Sequence, residues 1–138
     1  MIFCGSYRLD VDKKGRFKFP KVWEKDLGKK IFICKLNENM LKVSAGEKVE
    51  KSFESFFNGE TLIENEEMQR ILASSQFVEC DGKGRFILPP SFGFTGTNNV
   101  YAVGGIESIT LFYSQEFYEK MIGEQKKYME LLDSMFDD

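Results

Sequence analysis

The sequence has no histidine, and only three cysteines and three prolines among its 138 residues. Histidine is the commonest general base and a frequent metal ligand, so its absence removes the usual catalytic triads and most transition-metal sites. No pair of Asp or Glu residues stands apart from what a solvated surface would carry. We therefore predict that the chain is not an enzyme, and we expect no catalytic residue, no metal site, no cofactor and no small-molecule substrate.

Cysteines and long apolar runs are scarce in this chain. Cys4, Cys34 and Cys80 are odd in number and far apart, which is neither a disulfide nor a zinc spacing, so we expect them to pack as small hydrophobic residues. The longest strictly apolar stretches, such as 31–34, run four residues, whereas a membrane helix needs roughly 20. The stretch 1–6 lacks the basic and apolar segments of a secretory signal. We expect a cytoplasmic protein without a membrane partner.

The net charge of −3 is distributed unevenly. Ten basic and four acidic residues lie between Arg8 and Lys35, a local charge of +6, which leaves −9 for the rest of the chain. A basic N-terminal surface on an acidic body can attract a polyanion locally while the remainder keeps the protein soluble. On charge alone, a lysine-rich solvated face is an equally good explanation.

A repeat organises the sequence. The nine residues Asp12–Pro20 recur as Asp81–Pro89 at an offset of 69, and six of the nine positions are identical. The same offset, without a gap, aligns 31–32 with 100–101. Because self-similarity at a fixed spacing marks repeated structural units, the chain is interpreted as two tandem copies of one unit.

Each copy predicts a β-hairpin. Apolar and charged residues alternate over 7–12, which is the period of a half-buried strand. An Asp followed three residues later by Gly suits a type I turn closed by a left-handed residue. Lys14 then lies at the hairpin tip and Arg16 just beyond it. The residues predicted to build the two turns are Asp12, Gly15, Asp81 and Gly84.

The remaining pattern predicts an α+β fold in which the β-hairpins form a shared core. Further strands are expected at 30–36, 40–44, 99–103 and 108–113, and helices at 46–57 and from 114 onward. We divide the chain into a first repeat at 1–59, a connecting helix at 60–75, and a second repeat with a C-terminal helix at 76–138. The C-terminal stretch carries apolar residues close to a heptad seam that Gly123 interrupts. This stripe is expected either to join the core or to pack against a neighbouring subunit.

The two Asp-x-x-Gly-Arg motifs, each followed by a proline four residues after its Arg, resemble the MraZ family of bacterial transcriptional regulators. The resemblance extends from Cys4 to about Lys120 and includes the segments 69–73, 103–105 and 109–112. The chain differs from the family after Pro89. Where the family has a short helix, this sequence has 90–96, which is too rich in glycine for a stable one.

The resemblance implies an AbrB-like fold, a pseudo-twofold swapped-hairpin β-barrel built from two tandem repeats with helices after each repeat. It also implies a nucleoid-associated, ring-like homo-oligomer that binds tandem repeats of double-stranded DNA and represses the division and cell-wall gene cluster. The DNA-contacting residues it implies are Lys14, Arg16, Lys83 and Arg85. From the charge pattern we add Lys13, Lys18 and Arg8.

Other interpretations of the same residues stay open. An exposed Arg beside a turn Asp is often a local ion pair with little net effect on stability. An oligomeric protein-interaction or antitoxin-like module on the same barrel would also explain the fold, and a carboxylate-based hydrolase would need an acidic cleft. The copies are also unequal, because Lys13 and Lys18 become Gly82 and Ile87 in the second. We therefore expect the first hairpin to contribute more of any DNA affinity.

Overall fold

The computed structural model describes residues 1–57, 66–93, 98–123 and 125–136. The fold is α+β, as predicted. In chain order its elements are β1 (Ser6–Asp10), β2 (Arg16–Phe17), α1 (Lys21–Leu27), β3 (Lys30–Asn37), β4 (Met40–Ala45), α2 (Gly46–Phe57), α3 (Glu66–Ala73), β5 (Ser75–Glu79), β6 (Phe86–Ile87), a 3-10 turn (Pro90–Phe92), β7 (Asn99–Gly104), β8 (Ile109–Phe112), α4 (Gln115–Ile122) and α5 (Gln125–Phe136).

The strands form two separate antiparallel sheets. Six strands form one sheet in the order β1-β7-β8-β4-β3-β5, and β2 pairs with β6 in a second sheet of two strands. Within the described part of the chain the larger sheet is open, with β1 and β5 at its edges, so the predicted closed barrel is not found. The reason is that β2 and β6 pair with each other as a separate sheet and do not join the two edges.

Strand pairing connects the two halves of the chain. The strand before the first turn, β1, pairs with β7, and the strand before the second turn, β5, pairs with β3. The registers are equivalent after the shift of 69, since Ser6 lies opposite Val103 and Ser75 lies opposite Cys34. The arms of each turn therefore diverge to partners in the other half. They do not form the self-paired ladder expected of a simple hairpin.

The core lies between the large sheet and the two-stranded sheet. Strand residues such as Ile31, Leu41 and Ile109 are fully buried, as are their neighbours on the same sheet face. From the two-stranded sheet and its flank, Phe17, Phe19 and Phe86 form one aromatic cluster with ring centroids 5.0 to 6.2 Å apart. Since this cluster draws on both repeats, neither repeat has a complete core of its own.

The segment after each proline differs between the copies. After Pro20 the chain forms α1, whose Trp23 and Leu27 are buried, and the Trp23 indole N–H donates to the Cys4 carbonyl at 3.0 Å. After Pro89 the described residues form a short 3-10 turn, which is followed by Gly93 with φ of 80°. The rest of the glycine-rich segment, 94–97, lies outside the described residues.

The connecting and C-terminal segments carry exposed apolar residues. Of the predicted helix at 60–75, residues 60–65 lie outside the described residues, α3 covers Glu66–Ala73, and β5 begins at Ser75. Gly123 separates α4 from α5, and the structure describes the side chains of α5 from residue 129 on. The apolar ones among these are all exposed: Met129, Leu131, Leu132, Met135 and Phe136.

Two smaller findings concern the cysteines and the helix lengths. Cys34 and Cys80 are partly buried, but Cys4 is exposed, so the prediction that all three pack as hydrophobic residues is wrong for Cys4. No helix within the described ranges is both long and apolar enough to cross a membrane.

Candidate nucleic-acid interface

The first turn is closed by backbone hydrogen bonds and by one carboxylate. The Gly15 N–H donates to the Asp12 carbonyl at 2.9 Å, and Gly15 has a φ of 81°, in the left-handed region that glycine adopts without strain. Asp12 Oδ1 accepts the N–H groups of Lys14 and Arg16 at 2.9 and 2.8 Å. The aspartate therefore fixes the path of the backbone that carries both basic residues.

The same aspartate orients the arginine. The Arg16 Nε donates to Asp12 Oδ2 at 2.7 Å. Among the described residues, the Arg16 guanidinium forms one ion pair, which is this contact through Nε. Its terminal Nη groups have no partner within the same residues. The Arg16 backbone N–H is the main cause, and the guanidinium a further one, of an Asp12 pKa below its ordinary value. The carboxylate is thus ionised at neutral pH, and it holds the arginine in one orientation.

The second turn has the same geometry. Gly84, with φ of 78°, donates to the Asp81 carbonyl at 3.0 Å, and Asp81 Oδ1 accepts the N–H groups of Lys83 and Arg85 at 2.9 Å each. The Arg85 Nε donates to Asp81 Oδ2 at 2.8 Å. The Arg85 backbone N–H is the largest of the causes that lower the pKa of Asp81 to about 2. Two matching turns therefore each present one oriented arginine.

The ladder between β2 and β6 brings the two turns side by side. Arg16 lies opposite Ile87, and Phe17 lies opposite Phe86. The Leu88 N–H also donates to the carbonyl of Gly15 at 2.9 Å, which ties the second copy to the first turn. The turns therefore form one surface although 69 residues separate them in sequence.

This small sheet has an apolar face and a basic face. Phe17 and Phe86 point inward and are buried, whereas Arg16 and Ile87 point to the opposite side, and Ile87 is 47 % exposed. Lys18 follows on the first arm and lies beside the second turn. A Cβ atom built on Gly84 would be 3.5 Å from Cε of Lys18. We call the outward side, formed by Arg16, Lys18, Arg85 and Ile87, the paired-turn face.

The other predicted DNA-contacting residues lie either in the two turns or on the larger sheet. Lys13 and Lys14 are exposed within the first turn, and Lys83 is exposed within the second, so all three belong to loops that border the paired-turn face. Arg8 is exposed but lies on β1, an edge strand of the other sheet. The structure thus brings together six of the seven predicted basic residues and places Arg8 apart from them.

The acidic groups near this face leave it basic. Asp12 and Asp81 are engaged by their own turns, and Glu24 of α1 lies 3.8 Å from the Lys18 ammonium. Six basic residues therefore stand against three acidic ones. Sequence reasoning missed Ile87 and Glu24 as members of this surface, because only the pairing of β2 with β6 and the position of α1 bring them there. A search of the described residues finds no group of cysteine, aspartate and glutamate side chains that could hold a metal ion.

No protein-family model matches the chain, and no curated protein is significantly similar to it.

Proposed function

We propose that this protein is a sequence-specific regulator of transcription that binds double-stranded DNA through the paired-turn face. The observation that carries the proposal is the meeting of two aspartate-braced arginines, both partly exposed, and the exposed Lys18 on one face, on a chain whose body is acidic. Local ion pairs alone would explain either turn taken singly. They do not explain why the turns lie side by side with their basic side chains outward.

The chemistry of the face suits a DNA groove. A guanidinium held through Nε still offers terminal N–H groups, and Arg reads guanine bidentately in the major groove. Apolar Ile87, directly opposite Arg16, is suited to contact a thymine methyl group. Lys13, Lys14 and Lys83 at the turn tips serve as phosphate contacts, which position the protein without reading sequence.

The exchange of strands between the halves supports a relationship to the MraZ type. Pairing of β1 with β7 and of β5 with β3, in equivalent registers, is what a pseudo-twofold swapped-hairpin arrangement of two tandem repeats requires. On this basis we propose that the protein acts as MraZ proteins do. It would bind tandem DNA repeats at the nucleoid and repress the division and cell-wall gene cluster.

We further propose that the protein acts as a ring-like homo-oligomer. The apolar side chains of α5 are exposed in the single chain, and contact with a neighbouring subunit would bury them. Oligomerisation would multiply the paired-turn faces, so that weak contacts add through effective concentration on repeated sites. Light scattering is then expected to give a mass well above the 16.0 kDa of one chain.

The test combines site selection with matched variants. The purified protein is used to select bound duplexes from a random DNA pool, and affinity for the selected DNA is measured for a variant with Arg16, Lys18 and Arg85 changed to Ala. A control variant removes three exposed lysines of other elements, Lys42, Lys51 and Lys120, and so loses the same charge. The first variant should lose binding and the control should keep most of it.

Equal losses of DNA affinity in the two variants would mean that net charge alone determines binding, and would contradict the proposal. Failure of the wild-type protein to bind any duplex at low salt would favour the second candidate, an oligomeric protein-interaction module. The exposed apolar residues of α5 are the observation that supports that candidate.

A further inference from the structure

A cleft of about 560 Å³ lies between the two repeats, next to the paired-turn face. One wall is the end of α1 with the residues that follow it, and the other is the segment 80–84 of the second turn. Its apolar lining comes from Phe19, Leu27 and Phe86, all of which are buried members of the core. Both the volume and the mixture of an aromatic floor with few polar groups are typical of pockets for small molecules.

One acceptor in this cleft lacks a donor. Oε1 of Glu24 is buried, and no described residue donates a hydrogen bond to it. The nearest cation, the Lys18 ammonium, is 3.8 Å away, which is an ion-pair distance but too long for a hydrogen bond. The Glu24 side chain as a whole is 38 % exposed and lines the cleft, so a ligand can approach its carboxylate, and an oxygen without a donor marks a place for an N–H group.

The other charged groups of the cleft do not compete for that place. The Asp81 carboxylate already accepts hydrogen bonds from the Lys83 and Arg85 backbone N–H groups and from Arg85 Nε. Lys29 lines the cleft but is exposed, so water screens its charge. An anionic ligand would put its negative charge against the unpaired oxygen of Glu24, whereas a cation would satisfy it.

We propose that this cleft is a binding site for a small organic cation. Its N–H groups would pair with Glu24, and its flat apolar body would lie against the aromatic lining. The sequence of the second copy lacks the side chains for an equivalent wall. At the offset of 69 the positions of Glu24 and Leu27 are occupied by Gly93 and Gly96, which have no side chains to form such a wall.

The test uses three probes of the same shape and different charge on the full-length chain without DNA. Benzamidine is cationic, benzamide is neutral and benzoate is anionic, and saturation-transfer NMR measures the affinity of each. Benzamidine should bind saturably and more tightly than the other two. Glu24→Gln should weaken benzamidine by about tenfold or more, because it removes a charge-assisted hydrogen bond. Lys18→Met should tighten it, because the competing ammonium is gone.

Asp26→Asn is the matched control, since Asp26 is an exposed carboxylate on the same helix that does not line the cleft. Emission from Trp23, the one tryptophan of the chain, reports whether α1 keeps its packing in each variant. Benzamide or benzoate binding as tightly as benzamidine would overturn the proposal. So would a loss in Asp26→Asn equal to that in Glu24→Gln.

Discussion

The turns at Asp12–Arg16 and Asp81–Arg85 have the same hydrogen bonds, yet their surroundings differ. In both turns one aspartate accepts two backbone N–H groups and the arginine Nε, and a glycine with positive φ closes the turn. The first turn is followed by α1, and the second, within the residues described, by a 3-10 turn. The Asp, Gly and Arg that build the turn are shared by the two copies, as is the lysine before the glycine.

The residues that differ are the ones that set charge and shape around it. Lys13 and Lys18 of the first copy are replaced by Gly82 and Ile87, so the first arm is the more basic one. The comparison separates two roles within one motif. Asp, Gly and the aromatic residue after Arg are explained by folding, whereas the unequal lysines are not, and they are where we expect unequal function.

The largest expected effect is on stability and should be equal in the two copies. Phe17→Ala and Phe86→Ala each remove a buried ring from the same aromatic cluster, so each should destabilise the fold by about 3–5 kcal/mol. Urea denaturation measures both. A loss below about 1 kcal/mol for one of them would show that the two turns do not share a core.

The next effect is on DNA affinity and should be unequal. Arg16→Ala should cost roughly 1–3 kcal/mol of binding free energy and relax base preference, because it removes a base-reading side chain from the more basic arm. Arg85→Ala should cost less. Titrations of the selected DNA at one salt concentration compare the two variants. A consistently larger loss from Arg85→Ala would reverse the asymmetry that we infer.

A smaller effect distinguishes phosphate contacts from base contacts. Lys18→Ala should weaken selected and unrelated duplexes alike, and should reduce the slope of log affinity against log salt by about 0.9 if Lys18 neutralises one phosphate. The equivalent change in the second copy, Ile87→Ala, should leave that slope unchanged because no charge is lost. A sequence-dependent loss in Lys18→Ala would contradict its assignment as a phosphate contact.

The smallest effect concerns pH. The folded-state pKa of Asp81 lies at about 2, below its ordinary value of 3.8, so its contribution to stability is present above the ordinary value and is lost as the pH falls through the folded one. The stability difference between wild type and Asp81→Asn should therefore narrow between about pH 5 and about pH 2.5. Asp12→Asn should behave in the same direction. If the stability difference from wild type stayed constant over this pH range for both variants, neither carboxylate would be stabilised in its ionised form by the hydrogen bonds of its turn.

Local features were predictable from the sequence because their signals are local. The residue patterns of 30–36 and 40–44 predict strands close to β3, Lys30–Asn37, and β4, Met40–Ala45. The position of Gly three residues after Asp predicts a turn at each motif. The residue patterns did not lead us to predict α1. Trp23 and Leu27, four residues apart and shortly after a proline, are nevertheless a helical signal.

Long-range pairing could not be predicted from residue patterns. Nothing within 6–10 indicates that β1 pairs with β7 and not with β2, since an amphipathic strand satisfies its hydrogen bonds equally well with several partners. The paired-turn face depends wholly on such choices, because it exists only where β2 meets β6. The closed barrel implied by the resemblance fails for the same reason, since the described strands leave β1 and β5 at the edges of an open sheet.

The most direct test of the paired-turn face is to map which lysines DNA covers. The protein, alone and bound to the selected duplex, is briefly treated with an amine-acetylating reagent, and mass spectrometry measures the modification rate of each lysine. Our account predicts strong protection of Lys13, Lys14, Lys18 and Lys83, and unchanged rates at Lys42, Lys51 and Lys120. Protection of Lys42, Lys51 and Lys120, with unchanged modification rates at Lys13, Lys14, Lys18 and Lys83, would contradict this account.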